Sequence, residues 1–139
     1  MAETKENPVK EQARMQLDGI VEIMTALETA KEHGKAEYDG KEDDENSLRE
    51  RVQEDPLCVQ VRSGWHTPGG ENEDEDFRIL LCTGGPAVQI RGELDEHGGP
   101  YNPVLQYQDW FTPWEDYRET TDEEDGYLLA YCREFYFGK

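Results

Sequence analysis

The sequence predicts an α+β protein: an antiparallel four-stranded meander sheet with an N-terminal helix, a short helix and a C-terminal helix. Three observations lead there. Apolar residues recur at helical spacing between residues 17 and 27. From residue 57 the period falls to two, the pattern of a half-buried strand. The apolar runs that follow are joined mostly by short Gly- and Pro-bearing turns, which favour antiparallel neighbours.

Taken in order, residues 1–7 form a polar end. Asn7 then caps a helix with Pro8 in its first turn. Leu17, Ile20, Val21, Met24 and Leu27 build the apolar face, the helix runs to about Ala30, and Gly34 terminates it. Residues 36–46 are expected to be a solvated acidic linker. Ser47 with Glu50 has the capping-box pattern and opens a short helix that carries Leu48 and Val52 and ends before Pro56. On this reading residues 1–46 are an amphipathic helix and linker, and residues 47–139 the α+β core.

The first expected strand is LCVQVRS, where Leu57, Val59 and Val61 alternate with Cys58, Gln60 and Arg62. An acidic Gly/Pro loop leads to a second, FRILLCT. The turn at Gly84, Gly85 and Pro86 leads to a third, AVQIRGEL, with Val88, Ile90 and Leu94 on one face. Residues 103–110 form the fourth. Residues 111–117 are expected to be an aromatic loop or a single helical turn. Thr121 with Glu124 repeats the capping-box pattern before a last helix, with Leu128, Cys132 and Phe135 on its face and Leu129 and Tyr136 beside it. A strand is the alternative for this aromatic segment; helix is preferred.

Charge is the outlying property. The chain of 139 residues holds 33 Asp and Glu against 14 Lys and Arg, a net charge of −19. Duplex DNA carries one charge per about 1.7 Å of axis, so this charge matches roughly 32 Å of duplex. A domain of this length is about 37 Å across. Direct binding to nucleic acid or to an anionic membrane is therefore disfavoured by repulsion, and a basic partner is favoured. Nearly half of the acids, 16 of 33, lie in three runs: residues 42–45, residues 71–76 and residues 115–125.

Catalytic signatures are absent. There is no phosphate loop, no G-x-S-x-G and no HExxH, and the chain is expected not to be an enzyme. Asp109 and Glu115 flank Trp110, Phe111 and Trp114, which leaves a glycosidase-like carboxylate pair as a rival reading. His33, His66 and His97 are scattered, and no metal site or cofactor is expected. Cys58, Cys82 and Cys132 lie far apart in apolar stretches and are read as buried thiols of a reducing, cytoplasmic compartment. No apolar leader and no 18-residue apolar run is present.

In the stretches VQVRSGWHTPG, ILLCTGGPAVQIRGELDEHGGP, LQYQDWFTPW and LLAYCREFYFG, over roughly residues 47–138, the chain resembles a group of small proteins from bacteriophages, prophages and mobile elements of proteobacteria. No activity comes with that resemblance. It implies the cytoplasm of an infected or lysogenic bacterium and, by analogy with small acidic proteins of such elements, an anti-CRISPR or anti-restriction type of inhibitor that imitates DNA charge.

The expected function is thus inhibition, by an acidic surface, of a host nucleic-acid-binding defence complex. The residues expected to carry it are Asp74, Glu75, Asp76, Asp122, Glu123, Glu124 and Asp125. Trp65, Trp110 and Trp114 are core residues on the preferred reading and aromatic anchors on the second. Two rivals remain: a small carbohydrate- or ligand-binding hydrolytic domain, and a phage accessory protein whose charge serves solubility alone. Homo-oligomerisation is compatible with either.

Overall fold

The computed structural model describes residues 8–65, 67–69, 74–83, 86–110 and 112–137, the side chain of Asp74 excepted. It is α+β, with three helices and two antiparallel sheets.

Helix α1 (Pro8–His33) buries Ala13, Leu17, Ile20, Met24 and Leu27 along one stripe. Its end is the expected one: Gly34, at φ +85°, donates its N–H to Ala30 O at 2.8 Å. Only a residue without a side chain enters that left-handed region at no cost. The segment expected to be a linker is instead a hairpin of β1 (Lys35–Tyr38) and β2 (Lys41–Asp44). Its two-residue loop, Asp39 and Gly40, has φ values of 53° and 75°, the twist that matches paired strands. Ala36 is buried, and Tyr38 packs on the core beneath the Arg51 guanidinium, 5.4 Å from the ring centroid.

Helix α2 (Glu45–Glu54) is capped three residues before the expected cap. Asp44, with extended backbone, accepts the N–H of Ser47 on its side chain at 2.8 Å, so Asp44 is the cap and Ser47 lies inside the helix. Leu48 and Val52 are buried as expected.

The main sheet has five strands rather than four, in the order β3 (Cys58–Ser63), β4 (Asp74–Cys82), β5 (Ala87–Leu94), β6 (Pro100–Gln108) and β7 (Glu115–Asp116). The four predicted strands form the meander. The fifth is the short β7, in the segment expected to be a loop or turn; Gln106 and Tyr107 of β6 pair with it. Helix α3 (Asp122–Cys132) confirms the helical reading of the last segment and its capping box: Thr121 Oγ1 accepts from Glu124 N, and Glu124 Oε1 accepts from Thr121 N. Phe135 and Tyr136, expected on its face, lie beyond its end; Tyr136 is exposed.

One cluster joins α1 (Leu17, Ile20, Leu27), the sheet (Phe77, Ile79, Ile90, Leu105) and α3 (Leu128, Cys132). Helix α1 and Ala36 of the hairpin therefore share a core with the sheet and α3. Gly92 sits opposite Phe77, where a Cβ would lie 2.6 Å from the ring. The space it leaves lets Phe77 pack on Phe137 with centroids 4.8 Å apart, which holds the chain after α3 on the sheet. On the opposite face of the sheet, Leu80, Gln89 and Gln106 face one another across β4, β5 and β6.

Candidate functional site

The carboxylates divide by what they do in the fold. In the run at residues 42–45, Asp43 lies 3.5 Å from Arg51 Nε, Asp44 caps α2, and Glu45 pairs with Arg49 at 3.1 Å. Helix termini and nearby arginines thus use three of these four acids. The hairpin follows the C-terminal end of α1, whereas α3 begins beside Lys10 and Arg14 near the other end. From Arg14 to His33 the helix extends about 28 Å, so these two runs do not converge.

In the last run, Glu119 pairs with Lys10 at 2.6 Å and Asp116 with Arg118 at 3.3 Å. Glu124 turns inward onto Arg14, whose hydrogen bonds hold its carboxyl below the usual range. Asp122, Glu123 and Asp125 are exposed, and none lies within ion-pair distance of a cation among the described residues. They stand in the first turn of α3, where the partial positive charge of the helix end favours them. Asp125 also lines a groove of about 490 Å³ with Asn102 and Pro103 of β6.

The first half of β6 lies at the sheet end that begins β4 and ends β5: Leu94 faces Pro100 and Asp76 faces Glu93. That end therefore carries Asp74, Glu75, Glu93, Asp95 and Glu96. Asp76 is not a free carboxylate, for it bonds Arg62 Nε at 3.0 Å and lies 3.8 Å from Arg91. Glu75 is exposed beside Gly64. The expected acids Glu71 and Glu73 lie outside the described residues.

The tryptophans depart from the preferred core reading. Trp65 is fully exposed, Trp110 is largely exposed, and Trp114 is half-buried. Trp65 follows β3 at one end of the sheet and Trp110 follows β6 at the other, so they form no common patch.

Asp109 and Glu115, the carboxylates of the rival hydrolytic reading, line neither the groove beside Asp125 nor the pocket beside Trp114. Asp109 Oδ1 accepts from Trp110 N at 2.8 Å in its own turn, while Glu115 stands by Tyr107, whose phenol pKa is raised by burial and then by that negative charge. Trp114 lines a pocket that includes neither acid. Among the described residues, no three or more His, Cys, Asp or Glu side chains gather closely enough to hold a metal ion. His33 and His97 are exposed beside Glu32 and Glu96, and His66 lies outside the described residues. Among the described residues no helix is long and apolar enough to cross a membrane.

Sequence reasoning missed the pocket of about 350 Å³ on the open face of the sheet, lined by Arg62, Asp76, Arg78, Gln89, Arg91 and Trp114 among others. The available signal was the period-two placement of Arg78, Gln89 and Arg91 between core residues. Comparison with known families, with curated proteins and with solved structures finds no match for this chain.

Proposed function

We propose that this chain is an acidic binding protein that docks on a basic, nucleic-acid-binding partner and competes there with the nucleic-acid backbone. What supports the reading is the first turn of α3. Asp122, Glu123 and Asp125 are displayed together on a regular helix, with no cation among the described residues to neutralise them. A channel that tracks a phosphate backbone offers Lys and Arg to such regularly spaced anions. The acids at the β4–β5–β6 end of the sheet extend the same negative field. Trp65, exposed at that same end of the sheet, supplies aromatic surface at its margin.

The partner class, a host defence complex that handles nucleic acid, is drawn by analogy with small acidic proteins of phages and mobile elements. Long-range attraction would speed association and weaken with salt. In a second reading the charge serves helix ends and solubility. It draws on the run at residues 42–45, where three acids have internal tasks.

The test is displacement of labelled DNA from bacterial DNA-binding effector complexes by the full chain, at low and high salt. Displacement should be strong at low salt, fall steeply as salt rises, and be lost in the triple variant D122N/E123Q/D125N. Displacement from none of the complexes, or displacement insensitive to salt, would overturn the proposal.

A further inference from the structure

The open face of the five-stranded sheet carries a cation-rich pocket, and we infer that it is a binding site for a small planar organic anion bearing an N–H or O–H donor. Strand register assembles it. Arg78 of β4 faces Arg91 of β5, and Arg62 of β3 faces Asp76 of β4, all on the face away from the core. Like charges directly opposite on neighbouring strands oppose pairing. Here two arginines take that position in a chain with 33 acids to choose from.

A single carboxylate lines the pocket among the described residues. Asp76 serves Arg62 and Arg91, at 3.0 and 3.8 Å. Glu93 faces Asp76 from the rim, is exposed, and accepts from Asn102 Nδ2 at 3.0 Å. Arg78 has only the neutral Gln60 Oε1 on its Nε, at 2.6 Å, and no described carboxylate within ion-pair distance. A guanidinium has five N–H donors. Among the described lining residues three guanidiniums face one carboxylate, an excess of positive charge inside a strongly negative protein, and charges beyond a screening length of about 10 Å act on it weakly.

The floor points to the ligand independently. Gln89 is 2% exposed. Its amide orientation follows from a relay that begins at an acceptor-only group: Asp116 Oδ1 takes the N–H of Gln106 at 2.9 Å, so Gln106 turns its oxygen to Gln89 Nε2 at 2.8 Å. Gln89 Oε1 is thereby left as a buried acceptor with no hydrogen-bond partner in the structure. Such an atom is costly unless a donor meets it. Trp114, half-buried, supplies a flat wall to the same pocket. A volume of about 350 Å³ suits one small molecule. The complement of these groups is a ring to lie on Trp114, a carboxylate or phosphate for Arg78 and Arg91, and a donor for Gln89 Oε1.

The site uses none of the α3 carboxylates, so it can be tested separately from the proposed function. The full chain is titrated with 4-aminobenzoate, benzoate and aniline while the side-chain NMR signals of Gln89 and Trp114 are followed. Only 4-aminobenzoate has ring, anion and donor together. Its binding should saturate and be about tenfold tighter than that of either other probe, the difference that meeting one buried acceptor or one guanidinium makes. Arg78→Gln, at an exposed position, should weaken it at least about tenfold with an unchanged melting curve. Three results would overturn the inference: no saturable binding of 4-aminobenzoate, shifts scattered over the surface, or equal affinity in Arg78→Gln.

Discussion

Arg14 and Glu124 form a two-point ion pair, Nη1 and Nη2 of the guanidinium each donating to one carboxylate oxygen. Glu124 Oε1 also takes the N–H of Thr121. One carboxylate therefore closes the N-terminal cap of α3 and fastens that helix to α1. Its charge is used inside the fold, while its neighbours in the same acidic run are displayed.

This pair makes stability depend on acid pH. Hydrogen bonding from Arg14 holds the Glu124 carboxyl below its ordinary pKa of about 4.5. A lowered folded-state pKa contributes stability that is complete above the unfolded value and is lost as pH falls through the folded one. Glu124→Gln should cost about 1–2 kcal/mol at neutral pH. The gap between the two proteins should close as pH drops below 4.5. Thermal melts of both between pH 7 and pH 3 check this, and a gap as wide at the acid end as at pH 7 would contradict it.

The cap and the displayed acids should separate in mutation. Thr121→Ala removes the side-chain acceptor for Glu124 N and should cost about 1 kcal/mol. Asp122→Asn, Glu123→Gln and Asp125→Asn should each cost at most about 0.3–1 kcal/mol, the value of a charge at a helix end. Urea denaturation of the four single variants gives the ranking. Partner binding should follow the opposite order, because Thr121 bears no charge.

Gly92 is required by its neighbours. A Cβ there would stand 2.6 Å from the Phe77 ring and 2.9 Å from Tyr101 O. Gly92→Ala should cost about 1–3 kcal/mol, the range for overpacking. The displaced Phe77 ring should loosen Phe137, visible as faster amide exchange in residues 133–137.

The thiols should react in order of burial. Cys58 and Cys82 are half-buried, and Cys132 is fully buried with its thiol pKa pushed well up by burial. Iodoacetamide under native conditions should modify Cys58 and Cys82 first. Cys132 should react only at the rate of unfolding, measured by mass spectrometry across a urea series. Equal modification of all three in native buffer would contradict the packing of α3.

Local signals in the sequence were legible where a few adjacent residues decide an outcome. Gly34 ends α1, Thr121 with Glu124 opens α3, and the alternation in residues 57–63 and 87–94 appears as β3 and β5. The β1–β2 hairpin was hidden because only Ala36 and Tyr38 of its eight strand residues touch the core; Asp39 and Gly40 were the available sign of it. Strand β7 is two residues long, too short for any period to show.

The sequence by itself determined the α+β class, the end of α1, the start of α3, four of the five strands of the main sheet and the excess of negative charge. These follow from side-chain spacing, capping chemistry and composition. Tertiary structure decided which charges remain available. Packing turned Glu124 and Asp76 onto arginines distant in the chain and left Asp122, Glu123 and Asp125 facing outward. Register placed Arg78 opposite Arg91, with Gln89 two residues before Arg91 on the same face. A slip of one residue would send each of them to the other face, and so the pocket exists only in the folded sheet.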